Sequence, residues 1–192
     1  GIEHESVLET ARLFPHTIVR VDKKGLLDVK RLEQAITDKT VLVSVMYANT
    51  AVGTTQPSKE VAALIRAIRQ QRPEQPIYLH TDACQAANYL DLQVGRLGVD
   101  LMSLNGGKLY GPKQSGALYL RRGTRLQSQI TGGGQEGGLR SRTEHVAAII
   151  GFATMLQKVQ VDRKAESRRL QQIRDTFFAT LSQNISHIQL NG

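Results

Sequence analysis

Three features of the sequence predict an α/β fold built on a mostly parallel sheet flanked by helices. Short helical and strand-like patterns alternate from residue 6 onward. The strand-like runs are continuously apolar, as in Val41-Leu-Val-Ser-Val-Met46, which suits strands covered on both faces. Polar side chains with chemical capacity follow those runs directly, at Asn49, Asp82 and Lys108. Functional groups in such sheets gather at the carboxyl ends of the strands.

The elements follow in order. Ser6 to Phe14 carries a helical pattern behind Gly1-Ile2-Glu3-His4. Thr17 to Val21 reads as a strand, Asp22 to Gly25 as a turn, and Asp28 as the N-cap of a helix reaching about Ile36. Thr40 to Tyr47 is the next strand, ending in Asn49-Thr50-Ala51-Val52-Gly53. Ser58 is the predicted N-cap of a helix whose apolar positions are Val61, Leu64, Ile65 and Ile68, with Arg66 and Arg69 outward. Pro76 to His80 reads as a buried strand running into Thr81-Asp82-Ala83-Cys84-Gln85. Short helical pieces at Gln85–Tyr89 and Val94–Leu97 lead to a strand over Leu101–Leu104, then Gly106-Gly107-Lys108 and a turn closed by Gly111-Pro112. Ser115 to Leu120 is a strand, and Thr131-Gly-Gly-Gly134 is a flexible loop. Thr143 is the expected N-cap of a helix through Val146, Ile149, Ile150, Phe152 and Leu156, continued by a charged amphipathic stretch to about Leu181. His187 to Leu190 reads as the start of a further strand.

Composition narrows the functional classes. A chain of 192 residues with 40% apolar content can bury a real core. It has no apolar run of membrane-spanning length and no basic-then-apolar N-terminal signal, so no membrane or secretory role is expected and a cytoplasmic location is. A single cysteine, Cys84, excludes an internal disulfide and a multi-cysteine metal site. The net charge of +8 is scattered along amphipathic stretches with no repeating basic-aromatic pattern, which argues against direct nucleic-acid binding and for a solvated basic face with affinity for an anionic cofactor.

The chemistry concentrates at two strand ends. Lys108 puts a long amine on a tight turn beside glycines that cannot crowd it, which suits covalent capture of an aldehyde; it is the candidate Schiff-base residue. Asp82, with the amide of Gln85 three residues on, suits the pyridinium nitrogen and neighbouring ring oxygen of pyridoxal 5'-phosphate (PLP), because a carboxylate keeps that nitrogen protonated and the ring able to accept electrons. Gly-Gly-Lys is not a nucleotide P-loop, since Leu109 follows the lysine where that motif needs Ser or Thr. His80, Asp82 and Cys84 alternate onto one strand face and can bind a metal in principle, but they lack a fourth ligand; the expectation is no metal and a packed thiol.

Five segments in order resemble the class V aminotransferase family of PLP-dependent enzymes, and within it the cysteine desulfurases. They are Glu3-His4, Met46-Tyr-Ala-Asn49 with Val52-Gly53, His80-Thr-Asp82-Ala-Cys-Gln85, Lys108-Leu-Tyr-Gly-Pro-Lys113, and Gly132-Gly-Gly-Gln-Glu136 with Leu139-Arg-Ser-Arg-Thr143. The resemblance implies the large domain of fold type I, incomplete at both ends, with residues 1–157 as the PLP-binding core and 158–192 as a linking helix and the start of a small C-terminal domain. It implies Lys108 and His4 as catalytic residues. Cofactor binding is implied for Lys108, Asp82, Gln85, His4, Asn49, Thr50, Asn105 and Thr143, the last reaching the phosphate in a partner subunit. The sequence departs from the family pattern at Thr50 and Ala51, where an asparagine and a glutamate are usual. It departs again at Asn105 and Gly107, where a serine and a histidine are usual, and at Arg142, where glycine is usual.

The implied activity is release of sulfur from L-cysteine to give alanine and an enzyme persulfide, for iron–sulfur cluster assembly or tRNA thiolation, by a homodimer that passes sulfur to an acceptor protein. The family's sulfur-accepting cysteine lies in the small domain, and Cys84 does not match it. The alternatives are another enzyme of the class, such as a selenocysteine lyase or an aminotransferase, and a catalytically incompetent fragment.

Overall fold

The structure is a computed structural model and describes residues 1–191. Four strands form one sheet in the order β1 (Leu42–Ser44), β2 (Tyr78–Asp82), β3 (Leu101–Asn105), β4 (Gly116–Leu120). The first three are mutually parallel and β4 returns antiparallel to β3. The sheet is thus mostly parallel, as the continuous apolar runs predict.

Parallel neighbours need crossovers. The longer is α3 (Ser58–Gln71), between β1 and β2; the shorter includes α4 (Val94–Leu97), between β2 and β3. The antiparallel return to β4 needs only a short connection, residues 106–115, and that connection carries Lys108. Two more helices, α1 (Glu5–Ala11) and α2 (Val29–Ala35), precede β1, and α5 (Val146–Asn184) is the last element.

The main core joins α2 and α3 to the sheet through Leu32, Val43, Val61, Ile65, Ile77, Leu79 and Met102. A smaller cluster of Ala87, Leu109 and Phe152 seats α5 against the Lys108 turn. Gln160 and Ser167 of α5 extend this seat by bonding the 87–90 backbone: Gln160 Nε2 donates to Ala87 O at 2.6 Å and Leu90 O at 3.0 Å, and Ser167 Oγ donates to Tyr89 O at 2.9 Å. Asp100, buried just before β3, accepts from Leu79 N at 2.8 Å and pairs with Arg69 of α3 and with Arg121 at 3.3 Å. One carboxylate therefore ties α3, β2, β3 and the end of β4 together.

Asp28 caps α2 as predicted, accepting from Lys30 N at 2.9 Å. Other local expectations are corrected. Residues 17–21 form no strand, because among the described residues no strand lies beside them; Val21 makes only an isolated bridge to Leu27. His187–Leu190 is irregular for the same reason. Pro57, not Ser58, precedes the first residue of α3, where its missing N–H is harmless, and Ser58 Oγ donates instead to Gln56 O at 3.3 Å. His145 occupies the N-cap position of α5, two residues past Thr143. No helix among the described residues is long and apolar enough to cross a membrane.

Candidate active site

The carboxyl ends of β1, β2 and β3 converge on a cavity of about 160 Å³ lined by His4, Thr50, Asp82, Gln85, Asn105 and Lys108. Six of the eight sequence-designated residues thus meet at one place. Ser6, Met46 and Cys84 complete the lining. The remaining two do not line it. Asn49 builds the turn beside the cavity: its Oδ1 accepts from Ala51 N at 2.9 Å and Val52 N at 3.0 Å, and its Nδ2 donates to Ile2 O at 3.0 Å. Thr143 is exposed in the segment before α5.

The Lys108 turn is held from several sides. Asn105 Oδ1 accepts from Gly107 N at 2.9 Å, Leu109 N donates to Gly106 O at 3.0 Å, and Asn88 Nδ2 donates to Lys108 O at 2.6 Å. Leu109 is fully buried while Lys108 is exposed, so the turn has an anchored side and a free side. Gly106 is required by space, since a β-carbon there would overlap the Ser115 hydroxyl, itself tied to Pro112 O at 2.5 Å. The Lys108 amine therefore swings from a fixed base.

Asp82, the last residue of β2, is buried and its Oδ1 accepts from Cys84 N at 2.9 Å. Burial, aided by Asp82, pushes the Cys84 thiol up to about 12, so the thiolate needed for nucleophilic attack is scarce near neutral pH. Cys84 is half-buried at the cavity wall, its Sγ donating to Ser103 O at 3.7 Å, and so is less enclosed than the packed thiol its sequence context predicts.

Sequence reasoning did not find a hydrogen-bonded row crossing the sheet next to Asp82. Ser103 Oγ bonds His80 Nε2 at 2.8 Å, His80 Nδ1 bonds Ser44 Oγ at 2.9 Å, and Ser44 Oγ donates to Glu3 Oε2 at 3.3 Å. One proton arrangement satisfies every member: neutral His80 with the proton on Nδ1, and each donor pointing toward Glu3. The Ser44–His80 pair follows from the β1–β2 register, which aligns the two residues; that register is the signal that would have found it.

Burial holds His80 below the ordinary imidazole range, with the Asp82 charge opposing. A histidine of depressed folded-state pKa contributes stability that is present above its unfolded value, about 6.5, and is lost as the pH falls through the folded value. The stability margin of the wild type over His80→Gln is accordingly expected to be larger at about pH 7.5 than at about pH 5.5, read from thermal midpoints of both proteins. A margin that is flat or grows on acidification would contradict a buried neutral imidazole.

The donor set fits PLP: an amine for its aldehyde, a buried carboxylate for its ring nitrogen, an amide for its ring oxygen and an imidazole for its ring face, all lining one cavity. Fold and donor set together are those expected of the α/β class of proteins that bind PLP. The chain belongs to the Aminotransferase class-V family, whose profile matches residues 2–192. Among curated relatives it is 38% identical to the cysteine desulfurase IscS of Clostridium botulinum, over 100% of this chain and 48% of that protein. It is also 38% identical to the mitochondrial cysteine desulfurase of Saccharomyces cerevisiae, over 99% of this chain and 38% of that protein. Among solved structures, a NifS-like protein superposes with a TM-score of 0.87 at 33% identity, covering 95% of this chain and 50% of the other. DndA from Streptomyces lividans superposes with a TM-score of 0.82 at 31% identity, over 100% and 54%. The chain thus spans about half the length of the Clostridium botulinum protein and less of the yeast protein.

Proposed function

We propose that this chain is the cofactor-binding core of a PLP-dependent cysteine desulfurase. The observation that carries the reading is the convergence of Lys108, Asp82, Gln85 and His4 on one cavity, in a chain whose relatives bear that name. A solved neighbour, SspA in complex with cysteine, is 35% identical with a TM-score of 0.74 over 81% of this chain, which supports L-cysteine as the substrate.

When bound, PLP supplies an aldehyde that captures primary amines and a protonated ring that accepts electrons from the substrate α-carbon. The Lys108 amine is the attachment point and afterwards moves protons at the substrate. Asp82 holds the proton on the ring nitrogen, Gln85 donates to the ring oxygen, and His4 covers the ring face and assists proton transfer. The Thr50 hydroxyl and the Asn105 amide serve polar edges of the cofactor, and with glycine at 107 the phosphate depends more on backbone donors. Asn49 shapes this edge through its turn. Thr143 serves the phosphate in a homodimeric partner. Residues 1–157 form the binding unit and 158–192 lead to the next one.

In the overall reaction the sulfur of L-cysteine passes to an enzyme thiol, the C–S bond breaks and an S–S bond forms, and alanine leaves with the proton returned to carbon. Cys84 is unsuited to be that thiol. We assign the thiol to another part of the whole protein, and an acceptor protein in the cytoplasm as the destination of the sulfur. The test is to assay the whole protein containing this chain with L-cysteine and L-selenocysteine. Stoichiometric alanine and sulfide under reductant from L-cysteine is the expected result; turnover of selenocysteine alone would instead support a selenocysteine lyase.

A further inference from the structure

We propose that Glu3 is a positioning residue that, with Asn49, clamps the segment Ile2–His4 onto the carboxyl end of β1 and so fixes the His4 ring at the cavity. The inference rests on the cofactor-site reading for its consequence, but its geometry stands apart from it.

His4 needs an anchor that its own helix does not provide. It is the N-cap of α1, and its Nδ1 accepts from Ser6 N at 3.1 Å, so the ring is tied to α1. Yet α1 has no fully buried residue, only Val7, Leu8 and Ala11 half-buried, so its own packing holds the ring against the sheet weakly. The anchors are polar and lie immediately before it. One Glu3 oxygen accepts the Met46 amide and the other accepts the Ser44 hydroxyl, while Asn49 Nδ2 holds Ile2 O at 3.0 Å. All three partners lie at or just beyond the end of β1.

A carboxylate suits this place because it offers an acceptor to each of two donors at once. The same Ser44 hydroxyl continues through His80 to Ser103, on the strands that carry Asp82 and lead to Lys108. His4 and Asp82 are thereby referred to one frame although they are far apart in sequence. Burial and the neighbouring Asp82 work against the Glu3 charge, while the Met46 amide and Ser44 hydroxyl favour it. The balance lifts the Glu3 carboxyl above its ordinary range, and a carboxyl held where burial opposes it, with both oxygens bonded, is costly as mere decoration of a loop.

The test compares the wild-type chain with Glu3→Ala, Glu3→Gln, His4→Ala and the Glu3→Ala/His4→Ala double variant. In the cofactor-free proteins, nuclear magnetic resonance reads Met46 amide exchange and the His4 ring resonances. The expected result is that Glu3→Ala speeds Met46 exchange by about tenfold or more and shifts the His4 ring signals, that Glu3→Gln, whose single amide oxygen can still accept the Met46 amide, restores Met46 protection, and that His4→Ala leaves Met46 protected. Unchanged Met46 exchange and His4 signals in Glu3→Ala would overturn the proposal. With PLP added, Glu3→Ala and His4→Ala should each weaken binding, and the double variant no more than His4→Ala alone; additive losses would likewise overturn it. A wild-type chain that fails to capture PLP at Lys108 would remove the cofactor reading, while the cofactor-free comparison would still decide the role of Glu3.

Discussion

Lys108→Ala is expected to abolish covalent capture of PLP and to lower its retention by roughly a hundredfold, about 2.7 kcal/mol. Among the lining residues of the cavity, Lys108 is the one primary amine. Its turn is built to keep the amine in place, from the Asn105 cap to the Asn88 bond on Lys108 O and the buried Leu109 below. Removal of the exposed side chain leaves these anchors intact, so the loss should appear in the visible absorption band with the thermal midpoint nearly unchanged. Retention of the band in Lys108→Ala would mean that another amine is the attachment point.

The second large effect is structural. Asp100→Ala is expected to destabilise the fold by about 3 kcal/mol, because it orphans the buried Leu79 amide and deprives Arg69 and Arg121 of their shared partner. The loss is no larger because both arginine side chains are partly exposed and recover water, at 30% and 53% relative exposure. For a chain of this size that loss lowers the thermal midpoint by roughly 6–12 °C. Asp100→Asn, which keeps an acceptor for Leu79 N, should lose about half as much. Equal and small losses in both variants would show that the carboxylate does not organise the sheet.

The site was largely legible because its residues obey strand-end grammar. Asp82 closes a continuously apolar strand, and Lys108 sits in the short connection that an antiparallel return allows. What was not legible depends on register and on neighbours. Nothing within Ser44, His80 or Ser103 as isolated residues announces a row; only the lateral alignment of β1, β2 and β3 assembles it. Thr17–Val21 has strand composition, but a strand also needs a neighbour for its backbone groups, and none lies beside it among the described residues. Asn49 carries the polarity of a cofactor ligand, yet its amide is spent on the turn and on Ile2, which short-range pattern reading does not distinguish. In sequence Glu3 is only the neighbour of His4, and its reach to Met46 and Ser44 is a tertiary fact.

The measurement that tests the central claim most directly is borohydride reduction of the wild-type chain with PLP, followed by peptide mapping of the label. Nine lysines compete for it, most of them on the surface far along the chain from the cavity-lining segments. Label confined to Lys108, and diminished in Asp82→Ala, is the predicted result. Label spread over lysines such as Lys113 and Lys158, with no dependence on Asp82, would contradict the assignment of this cavity as the cofactor site.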